Sequence, residues 1–205
     1  MKIPEHLTMS YLLAQLGPQQ AYGTTGTVLV IVAGMLPDLD GVSILGGWRC
    51  HLKYHRKIGH GLAVALLGPL LLALWRAPEL AKWSWLGLWA WLQVSLLLHL
   101  AVDVLFYRWR VQLFWPVSNW GTGVGLIGWN DLVPTLLLYT ATGAALVWPA
   151  EAPLLASAGL GLLGLYIACR AWRGERPTGW RAWFTGDWAR RSPRVCRWLT
   201  GDFVT

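Results

Sequence analysis

Residues 83–106 read WSWLGLWAWLQVSLLLHLAVDVLF. At 1.5 Å per residue this helical run is long enough to cross a hydrocarbon core of about 30 Å. Tryptophans crowd its beginning, where an amphipathic ring suits the headgroup level. Its ionisable groups, His99 and Asp103, come at the other end. They are spaced i, i+4, so they lie one turn apart on one face of a helix and can reach a common ion or a pair of adjacent ions. Ionisable groups in a membrane segment are costly, and they call for a partner, a water-filled cavity or a metal. Taken alone, the pair reads equally as a hydrogen-bonded couple or a proton relay.

Three further apolar runs lie outside this one: His60 to Trp75 before it, then Leu126 to Trp148 and Pro153 to Trp172. In chain order they make the first, third and fourth spans, with Trp83 to Phe106 as the second. The whole chain is 55% hydrophobic and 13% charged, with mean hydropathy +0.43, too few charges to cover a soluble domain of this length. At the N-terminus, Leu7 to Leu16 and Thr24 to Leu36 flank a polar turn from Gly17 to Gly23, which predicts a helical hairpin that enters the membrane or packs on its face. Pro4 and Glu5 spoil a basic leader and Thr8, Ser10 and Gln15 break the apolar run, so this segment reads as retained, not as a signal peptide. Pro69 and Pro134 inside the spans predict local loosening, and Gly159, Gly161 and Gly164 predict close helix approach in the fourth span. The expected fold is an all-α polytopic membrane bundle of about four spans plus the hairpin, over residues 1–172, followed by a basic appendage over 173–205.

The net charge is +7, and its placement orients the bundle. Basic residues cluster at Arg49, Lys53, Arg56 and Lys57, at Arg108 and Arg110, and from Arg170 to Arg197. The loop between the first two spans holds only Arg76 and Lys82, and the loop between Trp148 and Pro153 holds none. By the positive-inside rule the clusters are cytoplasmic, and the spans alternate without conflict in an inner membrane, leaving the C-terminal tail in the cytoplasm. That tail sets Trp180, Trp183, Phe184, Trp188 and Trp198 among seven arginines, a composition that favours membrane lipid over nucleic acid as its partner. The 16 tryptophans read as interfacial anchors. Cys50, Cys169 and Cys196 have no paired spacing, which argues against a disulfide framework and against a thiolate metal site.

This topology brings distant ionisable residues to one depth. His60 opens the first span, His99 and Asp103 close the second, and Asp131 lies near the start of the third. Asp38 and Asp40 follow the hairpin's second arm, and His6 begins its first. Within Leu-Pro-Asp-Leu-Asp, Pro37 disfavours continuing the helix and frees both carboxylates to turn toward an ion, although a lone Asp-X-Asp is also an ordinary cap or turn. His55 and His60 are five apart, about 140° around a helix, so they converge only if His55 lies in the loop and His60 on the first turn. Gly59 and Gly61 flank His60 and remove bulk where backbone or substrate must come close. His51, four before His55, competes for that pairing and reads as a solvated loop histidine.

Imidazole and carboxylate donors without sulfur suit zinc first, with manganese or iron as alternatives. More than four candidates suggest two metals, or one metal with an outer ring of groups that orient its ligands. Such a centre lowers the pKa of water for attack on a phosphoryl or acyl centre, with a carboxylate as general base. Asp38, Asp40, His60 and Asp103 are the candidate catalytic residues.

The runs Gly34-Met-Leu-Pro-Asp-Leu-Asp40, His55-Arg-Lys-Ile-Gly-His60, His99-Leu-Ala-Val-Asp103 and Leu113-Phe-Trp-Pro-Val-Ser118, in that order and with His6 near the start, resemble the LexA-binding, inner-membrane-associated hydrolases of the YdjM-like family. The resemblance covers roughly the first 135 residues, and the four ordered motifs are more specific together than singly. It implies a membrane-bound, metal-dependent hydrolase, with metal-site roles for His6, Asp38, Asp40, His55, His60, His99 and Asp103. The family pattern around the second motif reads His-Arg-X-X-Thr-His-Ser, and here Gly59 and Gly61 stand in place of the two hydroxyl residues.

Three classes of function use these residues. In the first, a divalent metal activates water against an amphiphilic substrate at the cytoplasmic leaflet, a phospholipid or another phosphoester. In the second, the same groups form the permeation site of a metal or proton transporter, which belongs near the bilayer midplane and not at one end. In the third, a metal staples the helices and the tail recruits a partner.

Overall fold

Pro and Gly punctuate the chain where its helices begin and end. A computed structural model describes residues 2–80, 84–105, 110–128 and 131–174. The tail from residue 175, with its tryptophans and Cys196, lies outside the described residues, as do Lys82, Trp83, Phe106, Arg108 and Trp129. Helix α1 (Ile3–Gln15) carries Pro4 in its first turn, and α2 (Pro18–Met35) starts on Pro18, positions where a missing N–H breaks no intrahelical bond. Gly23 interrupts α2 with φ of 60°, a left-handed conformation that favours glycine. The turn expected from Gly17 to Gly23 is therefore a short helical step between two breaks.

After Met35 the chain bends by 55° into a 3-10 helix, Pro37–Gly46, because Pro37 cannot continue the α-helical hydrogen bonding. Then come α3 (Trp48–Tyr54), α4 (Leu62–Arg76), α5 (Ser84–Val104), α6 (Leu132–Val147) and α7 (Ala152–Trp172). Among the described residues, three segments are long and apolar enough to cross a membrane: Leu62–Glu79, Ser84–Val104 and Pro149–Trp172. A fourth follows if α2 and the bent 3-10 helix count as one span. The fold is a helical membrane bundle.

The expected third span differs. Leu126 and Ile127 are not helical; their N–H groups donate to the Leu105 carbonyl, and that of Val124 donates to Val104, so this stretch folds over the end of α5. Asp131 then caps α6 by accepting the Val133 N–H at 3.1 Å. Pro134 falls in the first turn of α6, where it costs no intrahelical bond, and does not kink a span. The resulting helix has 16 residues, about 24 Å.

The N-terminal hairpin is no appendage, because α1 packs against α2, α5, α6 and α7. Its Met9 and Leu12 join Leu138 of α6 with Ala156 and Leu163 of α7 in one buried cluster. Leu13 and Ala14 join Leu29, Val30 and Ala33 of α2 with Leu88 and Leu92 of α5 in another. Close contact in this layer uses small residues: a Cβ on Gly34 would lie 2.1 Å from Ser10 Oγ and 2.6 Å from Ser95 Oγ. The Ser95 hydroxyl donates to the Val30 carbonyl at 2.8 Å and ties α5 to α2. Of the three glycines expected to pack in α7, only Gly159 lies close to a neighbour, where a Cβ would stand 2.5 Å from Ala141 Cβ of α6; a Cβ on Gly161 or Gly164 would meet nothing within 4 Å. Leu67 and Leu71 of α4, Leu97 of α5, Leu136 of α6 and Leu165 of α7 are exposed on the outside, the arrangement of a bundle whose solvent is lipid.

Candidate metal centre

Helix α5 brings His99 and Asp103 to its last turns, both fully buried. The bend at Pro37 swings Asp38 and Asp40 toward them, and the loop between α3 and α4 supplies His55, Arg56 and His60. His6 comes from the first turns of α1. Asp38, His60, His99 and Asp103 each offer one donor atom, and these four atoms lie within 4.8 Å of one another. Donors bound at about 2.0–2.2 Å sit up to about 4 Å apart across an ion, so a small contraction seats one.

The hydrogen bonding around this group is incomplete in a way that fits a cation. His99 Nε2 is 3.7 Å from Asp38 Oδ1 and 3.8 Å from Asp103 Oδ2, too far for a hydrogen bond, and its Nδ1 has no hydrogen-bond partner. The second oxygen of Asp38 is also buried without one. Buried polar atoms in folded proteins are nearly always paired, so an imidazole and a carboxylate left open toward each other need an explanation. At His60, Nδ1 faces Asp40 Oδ2 at 3.1 Å and Nε2 faces Asp103 Oδ2 at 3.2 Å. With its proton on Nδ1, donated to Asp40, the Nε2 lone pair points into the cluster, the tautomer that a metal ligand requires. Two imidazoles and two carboxylates are a donor set that zinc, manganese or iron accepts.

The remaining predicted residues lie around these four. Asp40 is fully engaged behind them: its oxygens accept from His55 Nδ1 at 2.7 Å, from His60 Nδ1 and from the Gly59 N–H at 3.1 Å. It positions imidazoles, and both of its oxygens are engaged. His55 is held on the far side of Asp40 and stands edge-on to His60, with ring centroids 5.8 Å apart. His6 Nε2 lies 3.1 Å from Asp103 Oδ1, and its ring stacks on His99 at 3.6 Å, so it fixes both neighbours.

His51 differs from its expected state, since it lies in α3, half-buried and stacked on His55 at 4.4 Å. Burial and the neighbouring His55 lower its pKa. Asp131, at the start of α6, is not one of the four donors. It belongs to a second buried polar group, where its Oδ2 accepts from the Tyr166 hydroxyl at 2.5 Å and from Arg170 Nη1 at 2.9 Å. That group joins α6 to α7 and is separate from the four donors.

Arg56 is the site residue that sequence reading missed. It was grouped with the basic loop, yet it is buried, in a left-handed conformation with φ of 64°, and its Nη2 lies 3.2 Å from Asp103 Oδ2. Burial lowers the pKa of this guanidinium, and the carboxylates of Asp103, Asp38 and Asp40 oppose that shift. Its place between His55 and His60 was the available signal. The fourth motif is explained by the same loop: the Gln112 N–H donates to the Arg56 carbonyl and the Leu62 N–H to the Trp115 carbonyl, both at 3.0 Å. Leu113 to Ser118 therefore brace the histidine loop from outside and contribute no donor to the cluster.

A family model described as YdjM inner membrane protein matches residues 1–177, taking in α6 and α7 as well as the four motifs. No curated protein and no solved structure matches significantly. With every described helix and every residue of the site inside the match, the chain belongs to the YdjM inner membrane protein family.

Proposed function

We propose that this protein is a membrane-bound, metal-dependent hydrolase of an amphiphilic phosphoester, a phospholipid being the natural class for a site at headgroup depth. The observation that carries this reading is the convergence of donor atoms from Asp38, His60, His99 and Asp103 at one end of the bundle, with those of His99 and one oxygen of Asp38 lacking a hydrogen-bond partner. These four residues would hold a divalent ion, zinc foremost. Such an ion would supply Lewis acidity, lowering the pKa of water at the site toward neutrality and polarising a phosphoryl oxygen. Asp38 is the general base: with Oδ1 turned to His99, its unpartnered Oδ2 accepts the proton of the attacking water. Asp40 and His6 are positioning residues, and Arg56 offsets the charge of Asp103. The basic clusters support an orientation with this end of the bundle at the cytoplasmic face of an inner membrane, several passes, and the tail on the same side.

Asp38→Asn keeps the Oδ1 donor and removes the base. It should lower turnover of a phospholipid or a soluble aryl phosphate by about 10²–10⁴-fold while the purified protein retains its metal. Turnover equal to wild type in this variant would remove Asp38 from the chemistry, and metal-dependent turnover absent from the wild type would remove the hydrolase.

A further inference from the structure

A groove runs down the outside of the bundle from Asp40, the residue behind the four donors. Its volume is about 650 Å³, within the range of small-molecule sites. One wall is the bent 3-10 segment, with Leu36, Leu39 and Val42; the other is the face of α4 that carries Val64, Leu67 and Leu71 at helical spacing. Gly68 keeps the floor open, since a Cβ there would come within 2.6 Å of Leu36 Cδ1. From Ala63 to Leu71 the groove follows α4 for about 12 Å. Because α4 belongs to a segment able to cross a membrane, the groove opens where acyl chains are.

The head of the groove borders the site, and the groove itself is apolar. Asp40 and Gly59 line it, and Asp40 is one hydrogen bond from His60. Tyr54 of α3 lines the groove too, and α3 exposes Arg49 and Lys53, cations suited to a phosphate headgroup. The volume is too small for a second helix, about 10 Å across with its side chains, and it suits a single hydrocarbon chain.

We propose that this groove binds one acyl chain of a glycerophospholipid, with the chain running along α4 and the phosphate end of the lipid toward α3 and its Arg49 and Lys53. That the same lipid is cleaved rests on the hydrolase reading; the binding of its chain does not.

The test uses the full chain in nanodiscs containing a phospholipid with a diazirine midway along one acyl chain, and maps the photolabelled peptides. Label should concentrate on residues 36–43 and 58–71. Gly68→Leu and Leu67→Trp should each cut it by about fourfold or more, the factor expected from losing the burial of one methylene, with metal content as the check on folding. Leu165→Trp, on the exposed face of α7, should leave the pattern as it is. Label spread over α4 to α7 according to exposure, or label undiminished in both groove variants, overturns the proposal. Metal-dependent turnover measured on the same samples separates the two readings: groove labelling without turnover removes the hydrolase alone, and turnover with diffuse label removes the groove alone.

Discussion

Asp103 is where the contacts of the site meet: His6 on one oxygen, His60 and Arg56 on the other, and His99 one turn before it. Those contacts depend on Gly59, which lets the histidine loop lie against the 3-10 helix. A Cβ at residue 59 would stand 2.1 Å from the Pro37 carbonyl oxygen and 3.1 Å from Asp40 Cγ, both fixed parts of the site. Gly59→Ala must push the loop away, at a cost of about 1–3 kcal/mol, and loosen the Asp40 hydrogen bond that orients His60. Metal affinity, measured by competition with a chelator in detergent, should fall by about 10–100-fold; an unchanged affinity would mean that Asp40 does not set the His60 geometry. The sequence marked Gly59 and Gly61 as points of close approach, and the approaching groups are the backbone carbonyls of Pro37 and Trp115. It did not mark Arg56, because an arginine beside a membrane segment already has a reason to be there in the positive-inside rule.

Among the described residues, the metal centre and the Asp131 group each tie helix ends together. Arg170 of α7 reaches Asp131, the cap of α6, where both are buried. Arg170→Met leaves that carboxylate without its cation and should lower the unfolding free energy in detergent by about 3–5 kcal/mol. Adding Asp131→Asn should recover part of the loss, and the metal content of the folded protein should not change in either variant, because the donors come from other elements. Equal stability of Arg170→Met and wild type would mean the pair carries no load. Length and apolarity made α4, α5 and α7 legible. The true start of α6 was not, because Leu126 and Ile127 are apolar in an extended segment as much as in a helix, although Gly121, Gly123, Gly125 and Gly128 around them argued against one. The central position of α1 was hidden for a related reason. Glu5, His6, Ser10 and Gln15 make it look like a surface helix, and only the assembled bundle buries them.

Across the whole molecule, the beginnings of α1, α4 and α6 and the ends of α5 and α7 gather on one side, together with the 3-10 helix. An odd-even alternation of apolar segments suffices to produce that convergence, which is why residues more than ninety positions apart, such as His6 and Asp103, were expected to share a depth. Which four of them face one another depends on rotamers, on the bend at Pro37 and on the bracing turn at Trp115, none of which spacing encodes. The account stands on an ion in that centre. Elemental analysis of the detergent-purified wild type after zinc loading and desalting, beside His60→Ala and His99→Ala, should find at least one equivalent of divalent metal in the first and little in the two folded variants. A metal-free wild type, or variants that hold as much as it does, would contradict the account.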